Sequence, residues 1–232
     1  MMQQDGGRER INIAIDGPAG AGKSTVARKV AEQLGYVYID TGAMYRAVTL
    51  SALRSGIDPL DGPEIASHAA SLDIRLLPGE QGQKVLLNGE DVTEEIRSRE
   101  VTQNVSQVAA NGAVRRLLAE KQRRLADRKG VVMDGRDIGS HVLPDAELKV
   151  FLTASASERA LRRYREIGDA QGVSLEQLER EIEERDRMDR ERDVSPLVCA
   201  SDAVVMDSTA MTIEEVCSAI VSLSRTKLAE AK

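Results

Sequence analysis

The sequence predicts an α/β fold in which a doubly wound, five-stranded parallel sheet carries helices on both faces. Short apolar segments alternate with longer segments of helical periodicity along most of the chain. The first apolar segment, residues 11–16, runs into a glycine-rich turn and then a helix, which is typical of a buried parallel strand. A stretch punctuated by proline and glycine, residues 57–96, contains Asn88-Gly89 between apolar segments, which favours a hairpin. We therefore expect a small antiparallel insertion on a parallel α/β core.

Apolar runs predict the five strands, and periodic segments predict the helices that connect them. After the first strand, apolar residues recur at a spacing of four from Val26 to Leu34, and Gly35 ends this helix. Thr41 is expected to cap the second helix, which ends near Gly56. The predicted strands of the core are residues 11–16, 36–39, 131–133, 148–152 and 203–206.

Side-chain caps and helix breakers define the later elements. Ser155, Ser174 and Thr212 each stand three residues before a Glu or Gln, which is the pattern of a capping box at a helix start. The helices that begin after Ser155 and Ser174 are heavily charged. Within the insertion, Pro78-Gly79 is expected to form a turn between two strand segments. Further helices are predicted over residues 64–72, 98–110 and 113–128.

The composition of the 232 residues excludes several classes of function. Aromatic residues make up only 2%, which argues against binding single-stranded nucleic acid by base stacking. The formal charge of -6 argues against a general polyanion-binding protein. Residues 1–10 are expected to be a disordered polar leader, and no apolar run approaches the ~20 residues of a membrane span, so a cytoplasmic location is expected. Cys199 and Cys217 form no metal-binding or disulfide pattern and are expected to pack in the core.

The strongest functional signal is the segment G-x-x-x-x-G-K-S between Gly17 and Ser24, a P-loop that follows a strand and begins a helix. Glycines allow backbone N–H groups to point at phosphate oxygens, and the helix N-terminus adds its positive end. Lys23 can reach the β- and γ-phosphates, and the hydroxyl of Ser24 can ligate Mg²⁺. The motif therefore predicts nucleotide binding.

Three further clusters of polar residues accompany the P-loop. Asp134 ends the apolar run 131–133 and has the placement of a carboxylate near Mg²⁺. The segment 40–46 combines a hydroxyl, a turn and an arginine, which suits a second anionic group. Arg185, Asp189 and Arg192 are spaced by four and three residues, so one helix face is expected to present all three. The N-K-x-D motif with which guanine-nucleotide switches read their base is absent from the sequence.

Taken together, these motifs resemble those of the bacterial cytidylate kinases. The resemblance implies a P-loop kinase core over residues 11–56 and 97–232, with a helical lid at about 156–193. It also implies that the insertion, residues 57–96, binds a nucleoside monophosphate (NMP). The segments that carry it are I-D-G-P-A-G-A-G-K-S-T at residues 15–25, D-T-G-A-M-Y-R at 40–46, D-G-R-D-I-G at 134–139, E-R-D-x-x-D-R-x-R at 184–192 and D-S-T at 207–209.

The resemblance implies roles for individual residues. The ATP site would comprise Gly17, Pro18, Ala19, Gly20, Ala21, Gly22, Lys23, Ser24 and Thr25, with Arg162 over the adenine. The CMP site would comprise Thr41, Tyr45, Arg46, Ser106, Arg115, Arg136, Asp137, Arg185, Asp189 and Arg192. The catalytic residues would be Lys23, Arg136 and Arg185, and the Mg²⁺ ligands would be Ser24 and Asp134. This chain has Asn111-Gly112-Ala113 where the family often has a proline shortly before the Val-Arg of Arg115.

The implied reaction is phosphoryl transfer from ATP to CMP or dCMP in the presence of Mg²⁺, by a monomer that binds neither nucleic acid nor membrane. A P-loop kinase for UMP, AMP or a non-nucleotide acceptor is an alternative. A nucleotide-driven switch or hydrolase would instead consume ATP or GTP without an acceptor, and a non-catalytic binding module would bind CMP without phosphorylating it. The sequence contains only two histidines, His68 and His141, and neither is expected to be catalytic.

Overall fold

The central sheet of the computed structural model has five parallel strands, formed in spatial order by residues 37–40 (β2), 131–135 (β6), 13–16 (β1), 148–153 (β7) and 204–207 (β8). The structure describes residues 9–79, 82–167 and 172–230, so most of the expected leader, residues 1–8, lies outside the described residues. All four residues of β1 pair with β6, with Asp16 beside Gly135. The core strands are β1 (Ile13–Asp16), β2 (Val37–Asp40), β6 (Val131–Gly135), β7 (Leu148–Thr153) and β8 (Val204–Asp207).

Eight α-helices connect or flank these strands in the described part of the chain. A 3₁₀ turn, Glu95–Arg97, precedes the fourth α-helix, and a short π-helix, Ile138–Val142, follows β6. The sequence patterns did not predict either of these elements. The α-helices are α1 (Lys23–Leu34), α2 (Thr41–Arg54), α3 (Gly62–Ala70), α4 (Arg99–Ala110), α5 (Gly112–Ala126), α6 (Ala156–Ile167), α7 (Leu175–Glu191) and α8 (Ile213–Glu230).

The two faces of the sheet are covered by different helices, which confirms the doubly wound α/β prediction. Ile13 and Ile15 of β1 pack with α1 and α8, whereas Ala14 between them packs with α5 and residues 138–146. This alternation is the two-residue side-chain period of a strand buried on both faces. No helix among the described residues has the length and apolar character needed to cross a membrane.

The insertion forms a separate antiparallel sheet of three strands: β3 (Ile74–Gly79), β4 (Gly82–Leu87) and β5 (Glu90–Asp91). Asn88 and Gly89, both at positive φ, connect β4 to β5, as the hairpin prediction required. The apolar face of this small sheet belongs to one hydrophobic cluster with α2, α3, α4 and α5. This cluster attaches the insertion to the core.

Side-chain caps explain most helix starts. Ser155 and Ser174 accept hydrogen bonds from the N–H groups of Glu158 and Gln177, which confirms both predicted caps. Thr212 and Glu215 exchange hydrogen bonds reciprocally, which confirms the third.

Three expectations about local structure were wrong. The cap of α2 is Asp40 and not Thr41, because Asp40 has extended backbone dihedrals and accepts from the N–H of Ala43 at 2.9 Å. Pro78 and Gly79 continue strand β3, paired with Gln83 and Gly82, rather than forming a turn. Cys199 is exposed, whereas Cys217 is buried as expected.

Candidate active site

The P-loop occupies the carboxyl end of β1, at the centre of the sheet. Gly17 has φ of 151°, and a Cβ there would lie 1.9 Å from the carbonyl oxygen of Leu152 on neighbouring β7, so only glycine fits. Gly22 is the N-cap of α1, and within the described part of the chain the N-terminus of this helix has no side-chain cap. The first N–H groups of α1 therefore have no side-chain acceptor, which leaves them available to an anion.

Lys23 is buried at the start of α1, and its Nζ donates to the carbonyl oxygen of Pro18 at 2.7 Å. Burial and the neighbouring Arg136 lower the pKa of this ammonium group. An anion bound in the P-loop would restore the charged form, because an opposite charge favours it.

Asp134 of β6 contacts α1, β2 and α2 through its side chain and backbone. Its carboxylate accepts from the Ser24 hydroxyl at 2.8 Å and from the Tyr38 hydroxyl at 3.0 Å, and its carbonyl oxygen accepts from Thr41 at 2.7 Å. Burial and the nearby Asp40 carboxylate raise the pKa of Asp134. A buried carboxylate beside a serine hydroxyl fits the oxygen preference of Mg²⁺, which would lower that pKa again.

The described residues contain no group of three or more His, Cys, Asp or Glu side chains arranged to hold a metal ion. A Mg²⁺ ion at Ser24 and Asp134 would therefore depend on a bound nucleotide and water for its remaining ligands. This is the usual situation of Mg²⁺ in phosphoryl-transfer enzymes, where the ion keeps several waters and binds substrate phosphates.

Four cations meet above this edge of the sheet, and we call them the cation cluster: Lys23, Arg46, Arg136 and Arg185. Burial and the charge of Arg136 lower the pKa of Arg185 to about 10, and burial and the charge of Arg185 lower that of Arg46 to about 9. The Nε of Arg185 is buried and has no hydrogen-bond partner within the described part of the chain. Such mutual repulsion disfavours the empty cluster and favours a bound polyanion.

A chain of alternating charges extends from the cation cluster toward α5. Arg136 Nε donates to Asp189 Oδ2 at 2.8 Å, and Arg192 lies 3.6 Å from Asp189 and 3.7 Å from Asp137. Asp137 Oδ2 in turn lies 2.5 Å from Arg115 Nη2. Arg115 is buried, and its guanidinium lies 5.4 Å from the centre of the Tyr45 ring. The segments 134–137, α5 and α7 are thereby held together by charged side chains.

The geometry of these elements agrees with a family match over nearly the whole chain: a sequence profile described as cytidylate kinase matches residues 13–226. The chain belongs to the cytidylate kinase family. A cytidylate kinase of Exiguobacterium sibiricum is 56% identical over 217 residues, which cover 93% of this chain and 97% of the relative. A cytidylate kinase of Desulforamulus reducens is 60% identical over 211 residues, which cover 90% and 95% of the two chains.

The fold also occurs in distant structures. An uncharacterized protein from Eubacterium ventriosum superposes with a TM-score of 0.52 at 12% identity, covering 94% of this chain and 99% of the other. A likeness at this level of identity concerns the fold alone.

Within this member of the cytidylate kinase family, several residues expected in the site make contacts inside the protein. Arg46 Nη1 donates to Thr102 at 2.8 Å, and Arg162 donates to the carbonyl oxygen and hydroxyl of Ser208. Ser106 is half-buried on α4. Arg192 is the C-cap residue, one position beyond the last residue of α7. The side chain of Arg192 nevertheless reaches Asp189.

Sequence reasoning missed a contact that we call the P-loop clamp, formed by Arg159 of α6 and Asp186 of α7. Both side chains are buried, and their charged atoms lie 2.6 Å apart. Asp186 accepts from the N–H of Ala19 at 3.0 Å, and Arg159 donates to the carbonyl oxygen of Ala19 at 2.8 Å. The backbone of one P-loop residue, Ala19, is thus held at both its N–H and its carbonyl group. The charged run around residue 186 was visible, but nothing local identified these two members.

Asp16 and Gln83 were also missed as structural partners of the site. Asp16 accepts from the N–H groups of Ile138 and Gly139 at 2.8 and 2.7 Å. Gln83 of β4 accepts from the N–H of Asp40 and donates to the carbonyl oxygen of Tyr38. Asp16 belongs to the motif at residues 15–25, which was the only signal available in the sequence.

Proposed function

We propose that the protein transfers the γ-phosphoryl group of ATP to CMP or dCMP, giving ADP and CDP or dCDP. The observation that carries this proposal is the cation cluster, in which burial and a neighbouring guanidinium lower the pKa of Arg185 and of Arg46, and Arg185 keeps a buried, unpartnered Nε among the described residues. Two phosphorylated nucleotides would supply the missing negative charge. Membership of the cytidylate kinase family supports the choice of acceptor.

On the donor side, residues 17–25 would hold the ATP phosphates. The uncapped N-terminus of α1 and the glycines of the loop provide backbone N–H groups, and Lys23 provides a charge. Lys23 would exchange its contact with the carbonyl of Pro18 for the phosphates. Arg162 lies beside the loop, since a Cβ on Gly22 would be 4.0 Å from its Nη1, and it would border the adenine.

Mg²⁺ bound with ATP would be held by Ser24 and Asp134 and would neutralise part of the phosphate charge. These two residues already form a hydrogen bond, so their oxygen atoms lie close together before the ion binds. Tyr38 would keep the Asp134 carboxylate oriented through its hydroxyl.

On the acceptor side, Arg136 and Arg185 would grip the CMP phosphate together with Arg46, beside Thr41. Asp189 would hold the sugar hydroxyls with Arg192 close by. The base would lie near Tyr45, where Ser106, Arg115 and Asp137 would read its edge.

Asp137 explains why cytosine would be preferred. Its carboxylate can accept a hydrogen bond from the N4 amine of cytosine, whereas uracil presents an oxygen at that place. Two acceptors would then face each other in a buried site, and such a mismatch is strongly disfavoured. Arg115 and Arg192 hold the carboxylate in place through their ion pairs with it.

The transfer itself requires no general base. The attacking oxygen belongs to the CMP phosphate, whose second pKa is about 6, so it is already ionised at neutral pH. This oxygen forms the new bond to the γ-phosphorus, while the bond to the β–γ bridging oxygen breaks and its electrons remain on ADP. The protein would contribute alignment and compensation of charge through Lys23, Arg136 and Arg185.

We further propose that the chain works in three parts: a core of residues 11–56 and 97–232, an NMP-binding insertion of residues 57–96, and a lid at about 156–193. The lid would exclude water, which otherwise competes as acceptor. One chain supplies every residue of the proposed site, so a monomer would suffice. The cytoplasm, where ATP and CMP occur, is the proposed location.

Measurement of ADP release with CMP, dCMP, UMP, AMP and GMP as acceptors tests this function. We expect rapid release with CMP and dCMP and much slower release with the other three. Preference for UMP would replace the proposal with a uridylate kinase. Hydrolysis of ATP at the same rate with and without an acceptor would indicate a hydrolase or switch instead.

A further inference from the structure

The side chain of Asp16, at the end of β1, caps the short helix that follows β6. Its two carboxylate oxygens accept from the N–H groups of Ile138 and Gly139 at 2.8 and 2.7 Å. Asp16 is buried, at the end of β1 and directly before the P-loop. The two N–H groups begin the short helix Ile138–Val142, directly after the segment that contains Arg136 and Asp137.

The residue that would ordinarily cap this helix is Asp137. It occupies the N-cap position, and aspartate is among the best N-cap residues because its carboxylate can accept from the N–H groups two and three positions later. In this structure the Asp137 side chain makes no cap hydrogen bond. Instead, its oxygens lie 2.5 Å from Arg115 and 3.7 Å from Arg192.

The two tasks compete for the same carboxylate. To cap its own helix, Asp137 would have to fold back over the backbone and leave the two arginines. Asp16 already satisfies the N–H of Gly139, which is one of the two N–H groups that Asp137 could reach from the N-cap position, so Asp137 gains less by turning back. A buried N–H group without an acceptor costs free energy. Removal of Asp16 would therefore favour a conformation in which the Asp137 side chain leaves the arginines and accepts from the helix N-terminus.

We propose that Asp16 is a positioning residue for base selection, which keeps Asp137 directed at Arg115 and Arg192 by capping the helix in its place. This inference rests on the proposed function, in which Asp137 reads the cytosine. Asp16 also precedes Gly17, so the same side chain connects the loop that binds ATP to the segment that selects the acceptor.

The packing around the cap leaves little space for a substitute. A Cβ on Gly139 would lie 3.4 Å from Asp16 Oδ2 and 3.1 Å from the Lys149 side chain. A Cβ on Gly135 would lie 2.6 Å from the side chain of Ile138. Asp137 already occupies the N-cap position, so we expect it to take over the cap when Asp16 is removed.

The test compares kcat/KM for CMP and UMP in the wild-type enzyme and in the Asp16→Ala, Asp16→Asn and Glu147→Ala variants. Glu147 is a matched control, because its carboxylate accepts from the N–H of Asn12 at the opposite end of the same strand. We expect Asp16→Ala to reduce the preference for CMP over UMP about tenfold, the effect of roughly one buried hydrogen bond. The KM for CMP should rise while the KM for ATP changes less than about twofold, and Glu147→Ala should retain the preference.

A double-variant cycle separates positioning from general damage. If Asp16 acts through Asp137, Asp16→Ala should add no further loss of preference to Asp137→Ala. An additive loss, or a raised KM for ATP with an unchanged CMP/UMP ratio, would overturn the proposal. If Asp16→Ala does not fold by circular dichroism, Asp16→Asn decides, because it keeps the shape and one acceptor oxygen. A wild-type enzyme that does not prefer CMP would refute the proposed function and not the role of Asp16 alone.

Discussion

The P-loop clamp predicts that Asp186→Asn, which replaces one carboxylate oxygen by an amide NH₂ group, strongly lowers the free energy of unfolding. The asparagine can still accept from the N–H of Ala19, but it removes the negative charge that lies 2.6 Å from Arg159. Arg159 is buried, with 5% of its surface exposed, so its charge would lose its close partner without gaining water. Breaking a buried ion pair in this way typically costs about 3–5 kcal/mol.

Urea unfolding monitored by circular dichroism measures this cost, and Glu184→Gln is the matched control. Glu184 lies on the same helix, but it is exposed and pairs only with Arg187 among the described contacts. Its replacement should change the free energy of unfolding by less than about 0.5 kcal/mol. Equal unfolding curves for Asp186→Asn and the wild-type protein would refute the argument that the clamp is a buried, mutually dependent pair.

The double variant Arg159→Met/Asp186→Leu distinguishes stability from alignment of the P-loop. Apolar side chains of similar volume often replace a buried ion pair without loss of stability, so this variant should recover much of the unfolding free energy. This double variant cannot form hydrogen bonds with the N–H and carbonyl groups of Ala19. We therefore expect its KM for ATP to be higher than that of the wild-type enzyme. Full recovery of both quantities would show that the clamp contributes only to stability.

Four further outcomes follow from the site and its packing. Lys23→Ala should reduce kcat by at least about 100-fold and leave the circular dichroism spectrum unchanged, because charge compensation is the main contribution expected from this residue. Asp137→Ala should raise the KM for CMP and narrow the CMP-over-UMP preference, and unchanged preference in steady-state kinetics would show that Asp137 does not read the base. Gly17→Ala should destabilise the protein by more than about 3 kcal/mol in urea unfolding, since its Cβ would meet the Leu152 carbonyl at 1.9 Å. Burial raises the pKa of Asp16 from 3.8 to about 6, so the folded protein binds this proton more tightly than the unfolded chain does. The free energy of unfolding should therefore fall by about 2.5 kcal/mol, relative to Asp16→Asn, as the pH rises from about 4 to about 7.

Patterns that act over a few residues predicted most of the fold. The glycine-rich turn after β1, the Gly35 end of α1 and the capping boxes at Ser155 and Thr212 depend on neighbours in the chain, so sequence alone contains them. Thr41 was misassigned because both Asp40 and Thr41 are good capping residues. The choice depends on where the backbone leaves the strand, which composition does not specify.

The site could be predicted only where a residue belongs to a recognisable motif. Asp186 lies 167 residues from its partner Ala19, and Asp16 lies 122 residues from Ile138. Neither contact leaves a periodic or regularly spaced pattern in the sequence, because both join segments that only the tertiary fold brings together. The sequence showed many charges around residue 186, but it did not show which of them form exposed pairs and which form buried pairs.

The amide of Gln83 has a consequence for the border of the central sheet. Strand β2 lies at that border, and its outward polar groups at Tyr38 and Asp40 are bonded to one side chain rather than to another strand. Open borders of this kind invite pairing with foreign chains. The side chain of Gln83 therefore occupies hydrogen-bonding groups of the edge strand, and its loss would leave β2 open to pairing with another chain.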